Sequence, residues 1–438
     1  MIYRSGRQIA LPFLVPALMD AVSQSKFRVV GSIVPGEADV YCAQLARQHG
    51  GIILTNDSDL LVYDLGPNGS VAFLNDLTFP SDVNGQQAGQ LSPCDVFGLS
   101  IFQPKSIAQR LGLMRIQSLA YAYKENGKRK HTFTLPEAIA RAKEIDHTPS
   151  GFTKGFLAFL NEYRFDIFDL RGQRVLPIAV DHYRSKTNLD PRVSEYVLQV
   201  VVKKEEKPEV YLPTLVDDPS RSSAWSVSTE HRSFVYSILK STDQGNSKTK
   251  AVQEYDRKGQ RIRPQQFTIL TEAETVFHAS KVLDQLQTFT YAFSEYPNNF
   301  SWRAYALADV YRWYLNTGNV TPSRPTMLAV MTGFPLSQPN WEQIHLSAQI
   351  QAVLYSLRMI QQILDYAITT TPFTIPPELS DLAAFLQDLP QIAQLMPSNS
   401  ELSALTEDLD MEDFLNLVAK ILGDEYSADT LEEVDEGA

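Results

Sequence analysis

The segment from Phe27 to Leu61 limits what this chain can fold into more than any other. FRVVGSIV (27–34) is a mainly apolar segment of strand length that reads as a buried strand. Pro35-Gly36 then turns the chain, and residues 37–49 carry a helical pattern that Gly50-Gly51 ends. Ile52-Ile53-Leu54 is a second short apolar run, and Val71 to Leu74 reads as a third. Short apolar strands alternating with a helix predict a parallel α/β sheet.

Two acidic elements flank this unit. Glu37 and Asp39 open the helix. Asp57 and Asp59 follow the strand in Leu54-Thr55-Asn56-Asp57-Ser58-Asp59-Leu60-Leu61. In open parallel sheets the ligand crevice lies outside the carboxyl ends of the strands, which is where the second pair falls. Four neighbouring carboxylates repel one another unless cations neutralise them. Hard oxygen ligands select Mg²⁺ or Mn²⁺ over zinc, and two such ions can hold the attacking and leaving oxygens of a phosphodiester. Each pair alone has a plainer reading as a helix cap or a dipole partner.

The stretch PGEADVYCAQLARQHGGIILTNDSDLL resembles the internal segment of XPG/flap-endonuclease-type (PIN-like) nucleases, in its asteroid-domain branch. IFQPKSIAQRLGL (101–113) and LPTLVDDPSRSSAW (212–225) agree with that branch. The resemblance implies an α/β fold: an incomplete PIN-like (XPG internal-region) parallel sheet with helices, followed by a mainly α-helical C-terminal region. It implies Glu37, Asp39, Asp57 and Asp59 as metal-ligand and catalytic positions. It also implies aspartates on two preceding strands, which nothing N-terminal to Phe27 supplies; Asp20 lies in a helical pattern. A helix–hairpin–helix element is implied near SGFTKG (150–155). With half the implied ligands, impaired metal-dependent phosphodiester hydrolysis is expected. The alternative is a non-catalytic interaction or regulatory protein that retains the nuclease fold.

The domains expected are a partial nuclease core at 1–103, its helical extension at 104–202, a charged linker at 203–224, a mainly helical domain at 225–400 and an acidic tail at 401–438. The net charge of −12 resides in that tail, which holds thirteen Asp/Glu and one lysine, Lys420. The remainder is balanced, so DNA or RNA is not repelled globally. Lys128, Arg129 and Lys130 in a basic loop, and Arg257, Lys258 and Arg261 in a hairpin read from residues 251–270, are candidate phosphate contacts, against a plainer reading as solvated charge. Trp302, Tyr305, Tyr311, Trp313 and Tyr314 fall at helical spacing and read as core. His147, His182, His231 and His278 have no partner at ligand spacing. The helical region or the acidic tail could hold a protein partner. Cys42 and Cys94 form no metal or disulfide pattern, and no apolar run of membrane length occurs. A nuclear or cytoplasmic location is expected.

Overall fold

The computed structural model describes residues 12–26, 38–78, 98–126, 133–147, 153–164, 189–242, 248–334, 339–370 and 375–423. The chain divides into two compact units. One is Glu37–Ile178; the other joins Met1–Gly36 to Ala179–Ala438. The expected division at 103 and 202 is therefore corrected. Helix α1 (Leu14–Gln24) belongs with the C-terminal unit: Arg358 donates from both Nη atoms to the two oxygens of Asp20, at 3.0 and 2.6 Å.

In the Glu37–Ile178 unit, α2 (Ala38–His49) reverses at Gly50 and Gly51, whose φ values of 74° and 106° are cheap only for glycine. The chain returns as β1 (Gly51–Thr55), and Ala43 and Ala46 of α2 pack with Val71 of β2 (Gly69–Phe73). β1 and β2 pair in parallel from Gly51↔Gly69 to Thr55↔Phe73. The two-residue β3 (Ile101–Phe102) runs antiparallel to β2, so this sheet is mixed rather than wholly parallel. Ile52 and Leu54 are half exposed, so the strand expected to be buried covers only one face. The mainly apolar segment 27–34 lies outside the described residues.

Gly69 is buried, and a Cβ there would run into the Leu65 carbonyl oxygen, well inside van der Waals distance. Gly69→Ala is expected to cost about 2 kcal/mol in urea unfolding, through overpacking at the start of β2. Unchanged stability would show that the β1–β2 crossover can relax there.

Downstream, the helical pattern of 104–123 breaks at Gly112, which caps α3 (Pro104–Leu111) in the left-handed region before α4 (Ile116–Asn126) begins. Helices α5 (Leu135–His147) and α6 (Lys154–Glu162) follow. The buried carboxylate of Asp146 ties α5 to the start of α4, accepting from the Met114 N–H at 2.7 Å and the Ser118 hydroxyl at 2.5 Å.

The larger unit combines a sheet with a helical bundle. After α7 (Pro191–Val197) the chain forms β4 (Glu209–Tyr211), parallel to β5 (Ala251–Lys258), which pairs with β6 (Arg261–Thr268) through a turn at Gly259. The 203–224 stretch is therefore not a linker. Val210, Leu212 and Leu215 are buried in the main core. Between β4 and β5 lies α8 (Thr229–Thr242). Then come α9 (Glu272–Ala292), α10 (Asn298–Thr317) and α11 (Arg324–Thr332). The thirty-residue α12 (Trp341–Thr370) packs against α8 and α10 and is followed by α13 (Pro377–Leu386). Trp302, Tyr305, Tyr311 and Tyr314 of α10 are buried in this core, and Trp313 packs against it. The acidic C-terminal segment is also structural up to Gly423: Phe414, Leu415 and Val418 bury one face of a helix over Met411–Ile421. No helix among the described residues is long and apolar enough to cross a membrane.

Candidate metal centre

The tight turn at Gly50-Gly51 sends β1 back along α2. Twelve helical residues span about 18 Å and five strand residues about 17 Å. The first turn of α2 and the residues just beyond β1 therefore reach the same end of the unit. Asp39 stands in that first turn, half-buried, and Asp57 and Asp59 leave the strand end, both exposed. Glu37 lies outside the described residues.

Local hydrogen bonds fix the loop. The Asp57 N–H donates to Thr55 Oγ1 at 2.9 Å, and Asp57 Oδ1 accepts from the Asp59 N–H at 2.9 Å, capping the short helical turn Ser58–Leu61. Asn56 Oδ1 accepts from the Asn75 N–H at 3.0 Å, tying the loop to the end of β2. The capping role read from sequence is thus present at Asp57, and it leaves Oδ2 outside the cap.

Asp59 has a neighbour that sequence reading missed. Tyr163, at the end of α6, lies close enough for its phenol to feel the Asp59 charge. Burial first, and then the Asp59 charge, push the phenol up to about 12. The phenol is therefore neutral at pH 7. The ring is itself held edge-on to Tyr63, with centroids 5.2 Å apart. Beside Asp39, the Cys42 thiol is pushed up by burial and by the Asp39 charge. Among the described residues no group of three or more His, Cys, Asp or Glu stands ready to hold a metal ion. Asp20 is committed to Arg358 in the other unit.

The basic candidates divide. Lys128, Arg129 and Lys130, and residues 150–152 of the hairpin element, lie outside the described residues. Arg257 is engaged internally. Its Nε and Nη2 meet the two Asp217 oxygens at 2.8 and 2.6 Å, and further N–H groups reach the carbonyls of Asp218 and Gly259. It fastens the loop after β4 instead of presenting its guanidinium to solvent. Lys258 and Arg261 are exposed beside the β5–β6 turn. His231 is buried and meets Asp309 at 3.1 Å and the Tyr305 hydroxyl at 3.2 Å, a pairing across helices that no local spacing announces.

A family model described as XPG domain containing matches residues 10–269, more than half of the chain. The matched region takes in all of the Glu37–Ile178 unit and runs on through the end of β6. No curated protein and no solved structure matches the chain.

Proposed function

Because the chain belongs to the XPG domain containing family, we propose that its Glu37–Ile178 unit carries a weak Mg²⁺ site for acting on nucleic-acid phosphodiesters. The observation that supports this reading is the placement of Asp39, Asp57 and Asp59 at one end of the α2–β1 pair. Exposed carboxylate oxygens suit a hard, hydrated cation. Mg²⁺ keeps several of its waters and needs only one or two carboxylates. A site of this kind would hold one weakly bound ion rather than the two ions of a fast nuclease. Asp57, with one oxygen outside its cap, and Asp59, beside Tyr163, are the ligands proposed; Asp39 and Glu37 complete the set that the family resemblance implies. A bound ion would neutralise charge on the phosphate. The protein's part is to hold the carboxylates in place, as the hydrogen bond between Asp57 Oδ1 and the Asp59 N–H does for the loop that carries both.

Little or no cleavage of flap or single-stranded substrates is expected from residues 1–438 in Mg²⁺. Mn²⁺ titration followed by electron paramagnetic resonance should find one weak site that Asp57→Ala removes. Robust Mg²⁺-dependent cleavage that Asp57→Ala abolishes would overturn the weak-site reading, because more ligands must then converge. Mn²⁺ binding untouched by Asp57→Ala would remove the site altogether. A second reading is a protein that keeps the family fold and binds partners without cutting.

A further inference from the structure

The β4–β5–β6 sheet has one buried face and one open face. Val252, Glu254 and Asp256 of β5 point into the core, whereas Gln253 and Tyr255 alternate onto the other side. Tyr211 of β4 sits in register with Tyr255 on that open side. Their rings stack at 4.3 Å between centroids and 5° between planes. The Tyr255 hydroxyl donates to Glu209 at 3.0 Å and accepts from Gln253 at 2.6 Å, which holds the stack upright. β4 is the edge strand, so beyond Tyr211 the sheet ends among the described residues. Tyr211 remains 51% exposed. A pre-stacked aromatic with a free flank is costly to leave in water, and its Tyr255 neighbour already fixes its orientation.

Charge is arranged at both ends of this shelf. The segment 205–208 runs beside the start of β5, joined by the Lys250 N–H to the Glu206 carbonyl at 2.8 Å. Exposed Lys204, Lys207 and Lys248 gather at that end. At the hairpin end, about 26 Å away along the eight residues of β5, Lys258, Arg261 and Arg263 are exposed. Of the nearby acids, Glu206 is paired with Lys250 at 3.0 Å, Glu209 accepts from the Tyr255 hydroxyl, which brings no compensating charge, and Glu205 is half-buried. A chain whose overall charge is −12 therefore places cations at both ends of an exposed aromatic pair. Alternating π-faces and spaced anions are the chemistry of single-stranded nucleic acid, whose bases stack on aromatics while its phosphates follow basic side chains.

We propose that the open face of the β4–β5–β6 sheet binds single-stranded nucleic acid, with a base stacked on Tyr211 and phosphates held by the cations at the two ends of β5. The strand needs no metal here, so this site stands apart from cleavage in the Glu37–Ile178 unit. Pro264, opposite Tyr255 in β6, lacks the N–H that a further strand would need, which disfavours strand addition beside it.

The test is fluorescence anisotropy on the full chain in EDTA, with 5′-labelled oligo-uridine and oligo-thymidine fifteen nucleotides long, and the matching duplex. EDTA silences any metal site, so failure of the nuclease reading and failure of this one are separable. Tyr211→Ala is expected to weaken single-strand binding about tenfold, while Tyr211→Phe, which keeps the ring, stays near the wild type. The double variant Lys258→Glu/Arg261→Glu should lower the magnitude of the salt slope by about 1.4, the share of two phosphate contacts on a single strand. Tighter binding of oligo-uridine identifies RNA as the ligand and of oligo-thymidine identifies DNA; both support the proposal. Tyr211→Ala binding as well as the wild type, the duplex binding as tightly as the single strands, or no oligonucleotide binding at low salt would each overturn it. The last result would leave the face to a protein partner.

Discussion

Arg232→Ala is expected to destabilise the larger unit by about 3–5 kcal/mol, because it leaves a buried carboxylate without its cation. Arg232 and Glu254 are both 1% exposed. The guanidinium donates from Nε and Nη2 to the two Glu254 oxygens at 2.7 and 3.0 Å. Its Nη1 reaches the Trp225 carbonyl at 2.8 Å and the Ser228 hydroxyl at 2.7 Å. Tyr236 adds a third donor to Glu254 at 2.6 Å, and the guanidinium lies over the rings of Trp225 and Phe267. The two charges are matched and fully hydrogen-bonded, so the folded state tolerates their burial. Removing the cation alone leaves Glu254 in apolar surroundings with one phenol for company. Urea unfolding followed by tryptophan fluorescence reads the loss directly. The triple variant Arg232→Met/Glu254→Leu/Tyr236→Phe removes the whole cluster and should recover most of the stability, since an apolar replacement of a buried pair is often neutral. A loss below about 1 kcal/mol in Arg232→Ala, the range of surface pairs, would mean that water reaches the cluster.

How much of this was legible in the sequence follows the distance over which each interaction acts. Helix α12 is visible because Leu346, Ile350, Val353, Leu357, Ile360 and Leu364 repeat with helical period, and all six are buried. The β5–β6 hairpin is visible because Lys258-Gly259 offers the positive φ its turn needs. The aromatic set of α10 is legible as core for the same local reason. The 203–224 segment misleads because β4 has only three residues, too few to display a period. Its charges also look solvated until Arg257 arrives from forty residues away to cover Asp217. The same holds for α1, whose Asp20 finds Arg358 across 338 positions. At the candidate site, the carboxylates at the strand end were legible from a turn and a strand, both local. Tyr163, more than a hundred residues beyond Asp59, carries no local signal, and neither does the Tyr211–Tyr255 stack, whose two strands are separated by α8.

Acidification from pH 7 to pH 4.5 is expected to cost the larger unit about 2 kcal/mol through His345 alone. The imidazole is 2% exposed in the second turn of α12, and its Nδ1 accepts from the Asp218 N–H at 3.3 Å. Burial holds its pKa down to about 4, against the ordinary value of 6.5; the charges of Asp217 and Asp218 raise it, and those of Arg221 and Arg257 lower it. The unfolded chain therefore binds a proton between pH 6.5 and 4 that the folded chain refuses, and stability falls as pH falls through that window. Each pH unit of displacement is worth about 1.4 kcal/mol, which sets an upper limit near 3 kcal/mol; partial solvent access reduces it. A protonated Nδ1 can no longer accept from Asp218, so acid breaks the hydrogen bond that joins α12 to the loop carrying Asp217. That loop holds Arg257, and Arg257 anchors the hairpin end of β5. His345→Gln keeps an acceptor and has no proton to gain. Buried Asp190, whose pKa burial raises, acts with the opposite sign, so the measured quantity is the difference between wild type and variant. Urea midpoints at pH 7 and pH 4.5 should show the wild type losing about 2 kcal/mol more than His345→Gln. Equal losses in the two proteins would place the acid sensitivity elsewhere and leave His345 a packed, solvent-reachable side chain.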